Sequence, residues 1–477
     1  WLDELHSAWV VSSGLSEIAA RAQVGNQSPL YFYLPWATTS LFGMSEWSLR
    51  LPSLVAGVGL VMLAYGLAYE FTRSRLAAIA CATLAAVDHN FLFYATETRP
   101  YAWVQLVAAI QLYFFWQLQD GASVGRRIAF VASNVLLFYL HYTAILLVAG
   151  EVVYLLTRSR YARPRSDRTQ YTFSMLVIDL LCMAVMMIPA AVHVLDVGSR
   201  REAWSSFISR TSLTLPVHWF SLISYGAVPA MICVGRVARR RLWGDLDERS
   251  FEWRPAYLLA CWLCMPLAIA WILTIMKVVP LYLGRYVIGA ALAPVLFAGL
   301  CVGAFGARSS RAIVAGVIIA YAVYSSGMIE QVRYDGRLFG DRVENWRDAV
   351  AFVNDDPRSD VPVFVRSGLL EADRLATDES ELLREYCVSP VTSIYKIEDA
   401  AREIRPLTTS DAGRLTSKDV QQIEKSGAAW FIINGNAATT ERCRTRVLDS
   451  LTNAVVLDER QFGNVGAFLV VLFAVDD

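Results

Sequence analysis

The feature that most constrains this chain is a series of long apolar runs in its first 330 residues. A helix needs about 20 mostly apolar residues to cross the hydrocarbon core of a bilayer. Runs near that length are residues 50–69, 77–95, 101–118, 171–195, 213–235, 256–276, 286–305 and 312–329. Residues 128–157 are too many for one span and few for two. Arg126 and Arg127 precede them and five arginines at 158–168 follow. If both flanks are cytoplasmic, the stretch must form two shortened helices with a turn near His141 and Tyr142. The sequence therefore predicts a mainly α, polytopic transmembrane bundle of ten spans.

Charge divides the chain and gives the helices a direction. The formal net charge is 0, but residues 1–329 carry 25 Lys and Arg against 17 Asp and Glu, whereas residues 330–477 carry 18 against 26. The loops that this topology places inside hold 17 Lys and Arg, and the short outer loops hold six. Because positive loops stay on the cytoplasmic side, we expect residues 1–49 and 330–477 on the extracytoplasmic face. This neutral, apolar composition excludes a disordered chain and a basic nucleic-acid binder.

The predicted domains are a transmembrane domain, 1–329, whose residues 1–49 form a first outer loop, and an extracytoplasmic domain, 330–477. An outer segment at the start of the chain requires delivery, so we expect a further membrane helix before Trp1, which would make eleven. Residues 29–42 are apolar and aromatic but contain two prolines, which favours a helix lying in the membrane interface.

The carboxyl-terminal domain has the pattern of a small α/β fold. Amphipathic helices are expected at 345–354 and 418–426, and strands at 361–365, 428–433, 454–457 and 467–475. The topology of the sheet does not follow from the sequence. Cys387 and Cys443 are alone in this domain, and their spacing leaves open whether they pair.

Polar chemistry gathers at the predicted outer face. All five histidines (6, 89, 141, 193 and 218) fall in outer loops or at outer helix ends. Charged groups retained near a bilayer are costly and are therefore candidates for function. The candidates form four clusters: Asp3, Glu4 and His6; Asp88, His89, Glu97, Arg99 and Tyr101; His141 and Tyr142; Lys277, Arg285 and Tyr286.

These clusters suit transfer from a membrane-embedded phosphate ester. Arg99, Arg285 and Lys277 offer cations for a phosphate, and Asp3 offers a carboxylate that takes a proton from an incoming hydroxyl. Simpler interpretations exist: Asp3 and Glu4 also suit a solvated loop, and an isolated Arg such as Arg285 commonly extends its charge into the interface.

The same residues resemble the motifs of the glycosyltransferase C superfamily. The resemblance covers residues 1–330 and is carried by an acidic pair, an interfacial helix, the entry to a second helix, an outer turn and a late Arg-Tyr pair: Asp3 and Glu4, residues 25–31 (GNQSPLY), residues 47–53 (WSLRLPS), residues 96–101 (TETRPY), and Arg285 with Tyr286. It is similar above all to the protein mannosyltransferase and aminoarabinose transferase type.

The resemblance implies an inverting transferase that takes a sugar from a polyprenyl-phosphate donor on the extracytoplasmic face. It implies that Asp3 is the general base, that Glu4 and Glu97 shape the site, and that Arg99 and Arg285 hold the lipid phosphate. The second outer loop lacks the Asp-x-Asp metal motif of the oligosaccharyltransferase branch, so a bound divalent cation is not supported. The sugar and the acceptor, whether lipid, glycan or protein, stay open.

Two other classes of protein compete with this interpretation. A transporter or lipid flippase would usually show inverted repeats and charges at mid-depth, whereas this chain shows no internal repeat and clusters its charges at one face. A receptor that uses its outer domain to bind a ligand would explain that domain but not the four clusters.

Overall fold

The computed structural model describes residues 2–158, 171–199, 235, 251–335, 344–358, 360–378, 380–399, 401–409 and 414–472. The chain divides into two compact units. The discontinuous unit combines Trp1–Leu49 with Asp341–Asp477, and the helical unit is Arg50–Gly340. The sequence analysis assigned residues 1–49 to the transmembrane domain, whereas by packing they group with the carboxyl-terminal domain.

The chain up to residue 335 is built from helices, as the apolar runs predict. They are α1 Leu2–Val11, α2 Ile18–Val24, α3 Tyr33–Phe42, α4 Glu46–Thr72, α5 Arg75–Val87, α6 His89–Ala95, α7 Tyr101–Asp120, α8 Val124–Leu140, α9 Leu147–Thr157, α10 Phe173–Met187, α11 Ala191–Ser199, α12 Trp253–Ile275, α13 Leu292–Gly303, α14 Arg308–Ser325 and α15 Met328–Asp335. Short 3₁₀ segments connect several of them, among them Tyr142–Leu146, Gly284–Tyr286 and Ile288–Ala291.

Polar residues set the ends of these helices. Ser74 and Ser123 accept backbone N–H bonds at the starts of α5 and α8, the usual role of serine before a first turn. Asp88 divides the predicted run 77–95 into α5 and α6, which meet at a bend of 60°. His141 has extended backbone angles and ends α8, so residues 128–157 form two helices with a break at the predicted position.

The number of membrane spans is a separate matter from the number of helices. Among the described residues, Glu46–Thr72, Phe173–Ser199 and Trp253–Ile275 are long and apolar enough to cross a membrane, and the bent pair Arg75–Ala95 makes a fourth if it counts as one span. The count of ten stays a prediction. The expected span at 213–235, His218 and most arginines of the 158–168 loop lie outside the described residues.

Two of the carboxylates buried in the helical unit accept hydrogen bonds from neighbouring side chains. On α10, Asp179 accepts from Arg127 at 2.7 Å and from the Tyr171 hydroxyl at 2.7 Å. On α9, the fully buried Glu151 accepts a hydrogen bond from Gln111. Burying such groups is tolerable because they bond to one another.

The discontinuous unit contains a five-stranded mixed sheet. Its helices and strands are α16 Trp346–Asn354, β1 Val363–Arg366, α17 Glu381–Val388, β2 Ile404–Pro406, α18 Ser417–Ser426, β3 Ala428–Asn434, α19 Ala437–Ser450, β4 Ala454–Phe462 and β5 Val465–Leu472. The strand order is β2-β1-β3-β5-β4, with β1 parallel to β2 and β3, and β5 antiparallel to β3 and β4. The helix and strand positions predicted from the sequence are confirmed within a few residues.

Both faces of the sheet are covered. Trp430 and Ile432 of β3 face a core that contains Trp346, whereas the alternating residues Phe431 and Ile433 face a second core. This alternation follows from the two-residue repeat of a strand. Cys443 lies in the second core, and both it and Cys387 are buried free thiols.

Leu5 of α1 explains why the first 49 residues group with this domain. It is 2% exposed and belongs to the same core as Trp346, Val391 and Trp430, and Leu2 packs against that core. An apolar side chain of this size gains about 1.5–3 kcal/mol from such burial. The domain boundary at residue 330 was predicted from a change in composition, which carries no information about contacts between distant parts of the chain.

Candidate active site

The acidic pair occupies the first turn of α1. Asp3 is partly exposed, whereas Glu4 is buried. The backbone N–H of Leu2 donates to the Glu344 carboxylate at 2.6 Å, and the Ser7 hydroxyl donates to the Asp3 carbonyl at 3.2 Å. Carboxylates at this end of a helix are stabilised by the positive end of the helix dipole. The pair is therefore part of a regular helix and not of an open loop.

His6 is enclosed within the discontinuous unit. Its ring centroid lies 5.0 Å from that of Tyr386, 5.6 Å from Phe32 and 6.3 Å from Trp9. A Cβ added at Gly25 would lie only 2.4 Å from His6 Nε2. The ring thus fits an aromatic cage, and its predicted role in binding substrate stays a prediction.

In the helical unit, the turn between α6 and α7 buries charged groups. Glu97 and Arg99 are 2% and 3% exposed. The Arg99 carbonyl accepts from the Ser53 hydroxyl at 3.3 Å, and Trp103 Nε1 donates to the Pro52 carbonyl at 3.1 Å. The two stretches that resemble separate family motifs, WSLRLPS and TETRPY, are therefore in direct contact.

His141 is the centre of a cluster that joins three of the predicted regions. Its ring centroid lies 5.8 Å from Tyr101 and 5.8 Å from Tyr286. The Thr143 hydroxyl lies 2.8 Å from His141 Nδ1 and donates to the Tyr286 carbonyl at 2.7 Å. Because a hydroxyl has one proton to give, His141 Nδ1 must carry the hydrogen of that contact. The Nε2 atom of the neutral ring is then an acceptor.

Two guanidinium groups act on this imidazole. The pKa of His141, in the turn after α8, is lowered to about 4, first by burial and then by the positive charges of Arg285 and Arg99. The Arg285 guanidinium also lies 5.5 Å from the centre of the Tyr286 ring. The imidazole is therefore neutral at physiological pH, and two cations are near it.

Tyr142 has a partner that the sequence analysis did not name as a site residue. Its hydroxyl forms a short hydrogen bond with His193 Nδ1, and the two rings are 5.6 Å apart at their centroids. Thr143 and Ser53 were also missed. His193 carried a signal, since it is one of the histidines predicted to lie at the outer face, and Ser53 ends the WSLRLPS stretch, but nothing in the sequence distinguishes Thr143 from other hydroxyl residues.

Three predicted residues of the helical unit have other surroundings. The Asp88 carboxylate accepts from the backbone N–H groups of Asn90 at 2.9 Å and Phe91 at 3.2 Å, so it caps α6. The His89 ring lies 6.3 Å from that of Phe93. Lys277 is exposed just beyond the end of α12, with a left-handed backbone φ of 55°. Roles for these three in binding substrate stay predictions.

The described residues contain no group of three or more His, Cys, Asp or Glu side chains placed to hold a metal ion.

Comparison with known proteins gives a match to a family model and matches to solved structures. Residues 26–188 match the family model of dolichyl-phosphate-mannose-protein mannosyltransferase, a range that contains the WSLRLPS and TETRPY stretches. ArnT from Cupriavidus metallidurans matches with a TM-score of 0.53 in its apo state and 0.52 when bound to undecaprenyl phosphate. In both comparisons the identity is 12%, and the match covers 93% of this chain and 88% of ArnT.

The resemblance to the glycosyltransferase C superfamily is confirmed. The family match is local, covering about a third of the chain, and the structural match shows an ArnT-like fold over almost its whole length. No curated protein matches the chain. The ArnT-like fold agrees with the mainly helical architecture and with the small sheet of the carboxyl-terminal region.

Proposed function

We propose that this chain is a membrane glycosyltransferase that moves a sugar from a polyprenyl-phosphate donor to an acceptor on the extracytoplasmic face, with inversion at the anomeric carbon. The matched family transfers mannose from dolichyl phosphate, by its description. The similar ArnT structure holds undecaprenyl phosphate. Both points support a lipid-phosphate donor, and they leave the sugar and the acceptor open.

The cluster around His141 carries the proposal. Arg99 and Arg285 both raise the positive potential at this ring, so a ligand that is stabilised there must carry negative charge. A phosphate meets that requirement, because the planar fork of Arg matches its oxygens in a bidentate manner. The Tyr101 and Tyr286 rings on either side of His141 add apolar surface, which suits the isoprenoid next to the phosphate.

The chemistry is a single displacement. The acceptor oxygen forms a bond to the anomeric carbon while the bond from that carbon to the phosphate oxygen breaks, and its electron pair leaves on the phosphate. Attack opposite the leaving group inverts the configuration. Arg99 and Arg285 stabilise the charge that develops on the phosphate, and the Asp3 carboxylate takes the proton of the acceptor hydroxyl.

The test is sugar transfer by purified protein from a radiolabelled polyprenyl-phosphate sugar. We expect Asp3→Asn to abolish most turnover with donor binding retained, because the amide cannot accept the proton. We expect Arg285→Gln to raise the KM for the donor about 10-fold or more, the effect of losing a charge-assisted bond of about 1.5–3 kcal/mol. Arg308→Gln, which removes an exposed cation at the start of α14, is the matched control.

Two results would contradict the proposal. If Arg285→Gln and Arg308→Gln had the same KM, the phosphate site would lie elsewhere. If labelled lipid crossed a reconstituted membrane without any release or transfer of sugar, the protein would be a transporter or flippase.

A further inference from the structure

The helix that carries Asp3 is built into the carboxyl-terminal domain. Leu5 of α1 lies in the sheet core with Trp346 and Val391, and the Tyr386 ring lies 5.1 Å from that of Trp9. The position of α1 is thus set by residues that follow it in the chain by several hundred positions.

Glu344 is the polar centre of this contact. Its Oε2 atom accepts from the Leu2 backbone N–H at 2.6 Å and from Trp346 Nε1 at 3.3 Å. Its Oε1 atom accepts from Asn434 Nδ2 at 3.1 Å. Asn434 ends β3 and also donates to the Ser367 carbonyl at 3.0 Å. The carboxylate is therefore held by bonds from β3 and α16 as well as by its bond from α1.

The bond from Leu2 is at a sensitive place. The first N–H groups of a helix have no acceptor within the helix, and a carboxylate there satisfies one of them and complements the helix dipole. Leu2 directly precedes Asp3, so the bond fixes the backbone one residue away from the Asp3 side chain. Asp3 itself is only partly buried.

Further contacts keep the residues after α1 on the same domain. Arg21 on α2 pairs with Glu385 at 3.2 Å and lies 4.8 Å above the Trp9 ring. Asn26 donates to Glu371 at 3.3 Å. These contacts hold the body of the first segment, whereas Glu344 accepts a bond from the first turn of α1.

We propose that Glu344 is a positioning residue for sugar transfer: through the Leu2 amide it fixes the first turn of α1 and so holds the Asp3 carboxylate in one orientation. Glu344 contacts neither substrate nor reacting atoms in this role. The inference rests on the proposed function, in which Asp3 takes the proton. It gives the carboxyl-terminal domain a part in the reaction, namely to hold the catalytic base in place.

The test compares Glu344→Ala, Glu344→Gln and Glu403→Ala in the full-length protein. Glu403 is the matched control, because its carboxylate, directly before β2, also accepts side-chain bonds, from Arg405 at 2.8 Å and Gln422 at 3.0 Å. Misplacing a catalytic group by about 1 Å can cost about 100-fold in rate. We expect Glu344→Ala to lower kcat by about 10- to 100-fold with the donor KM unchanged, and Glu344→Gln, which keeps an oxygen for the Leu2 N–H, to restore most of kcat.

A second measurement does not depend on activity. Hydrogen–deuterium exchange of a peptide covering residues 2–11 should be faster in Glu344→Ala than in the wild type or Glu403→Ala, while a peptide of α18, whose Ile423 lies in the second core, exchanges as before. A loss of kcat that matched the fall in folded protein, with no recovery in Glu344→Gln, would reduce Glu344 to a stabilising residue and overturn the inference.

The two proposals fail in different ways. If the wild type turned over no polyprenyl-phosphate sugar, the proposed function would fail. If the wild type were active and Glu344→Ala kept both its kcat and the protection of residues 2–11, the function would stand and the positioning role would be refuted.

Discussion

Replacing Gly25 with alanine measures how tightly α1 is packed. Gly25 ends α2 with φ −87° and ψ 17°, angles that alanine adopts, so the backbone does not oppose the change. The added Cβ would lie 2.4 Å from His6 Nε2 and 2.6 Å from His6 Cε1. Carbon atoms in contact prefer about 3.5–4.0 Å, so the ring would have to retreat by about 1 Å.

The surroundings of His6 make that retreat costly. The ring is 3% exposed and lies between Tyr386, Phe32 and Trp9, so it cannot move without displacing another aromatic ring. Overpacking of this kind costs about 1–3 kcal/mol. In a folding unit of this size each kcal/mol shifts Tm by about 2–4 °C, which gives an expected fall of about 2–12 °C.

The measurement is thermal unfolding of the purified protein in detergent, followed through the fluorescence of its tryptophans. Gly14→Ala is the matched control, because a Cβ there would meet no atom within 4 Å and its φ lies outside the left-handed region. If the two variants unfolded at the same temperature, the packing of His6 against α2 would not be as described, and the reasoning about α1 would lose its basis.

Three further predictions concern the helical unit. Gly150→Ala places a Cβ 2.7 Å from the Cys261 carbonyl oxygen, an atom of the main chain that cannot rotate away, so we expect α9 and α12 to separate and Tm in detergent to fall. Gly66→Ala, in open space on α4, should leave Tm unchanged or raise it slightly. Equal Tm values for the two variants would contradict the close approach of α9 and α12. Asp179→Ala leaves Arg127 without its bidentate partner and should cost about 3–5 kcal/mol in unfolding free energy. Asp120 has a side chain that is 37% exposed, against 5% for Asp179, so Asp120→Ala should cost about 1 kcal/mol or less. A larger loss of unfolding free energy in Asp120→Ala would refute this ranking. The folded protein lowers the pKa of His141 to about 4 from 6.5. The unfolded chain therefore binds more protons than the folded one between these pH values, and stability falls as the pH is lowered through them. His141→Gln should flatten the fall in Tm between pH 6.5 and pH 4, and an unchanged dependence of Tm on pH would place His141 in a different environment.

The positions of helices and strands could be read from the sequence because they depend on neighbouring residues. An apolar run of sufficient length forms a helix, and the alternation of β3 between two cores follows from the geometry of a strand. The break at His141 was also predictable, since 128–157 has the wrong length for one span. Even so, the sequence missed β2, α17 and α19, because none of them carries a strong enough local pattern.

The site was predictable in part. Arg99, His141 and Arg285 were all named as candidates from their charge and place near outer helix ends, and the structure brings them together in the helical unit. The role of Asp88 as a helix cap could not be predicted, because the run 77–95 could also have formed one continuous helix. Only the observed bend leaves N–H groups of α6 for the Asp88 carboxylate. Thr143 gave no signal, because its importance comes from bonds to His141 and to a carbonyl 143 positions away.

By itself, the sequence determined that this is a mainly helical chain with a carboxyl-terminal α/β region, and which polar residues near helix ends are candidates for chemistry. The length of apolar runs, the placement of arginines and the alternation of strands are local properties, so they can be recognised without the tertiary structure. Only the tertiary structure decided that α1 belongs to the carboxyl-terminal domain, through a bond between Leu2 and Glu344, residues 342 positions apart. Such a contact depends on how two surfaces fit in the folded protein, and the local sequence of either surface does not identify the other.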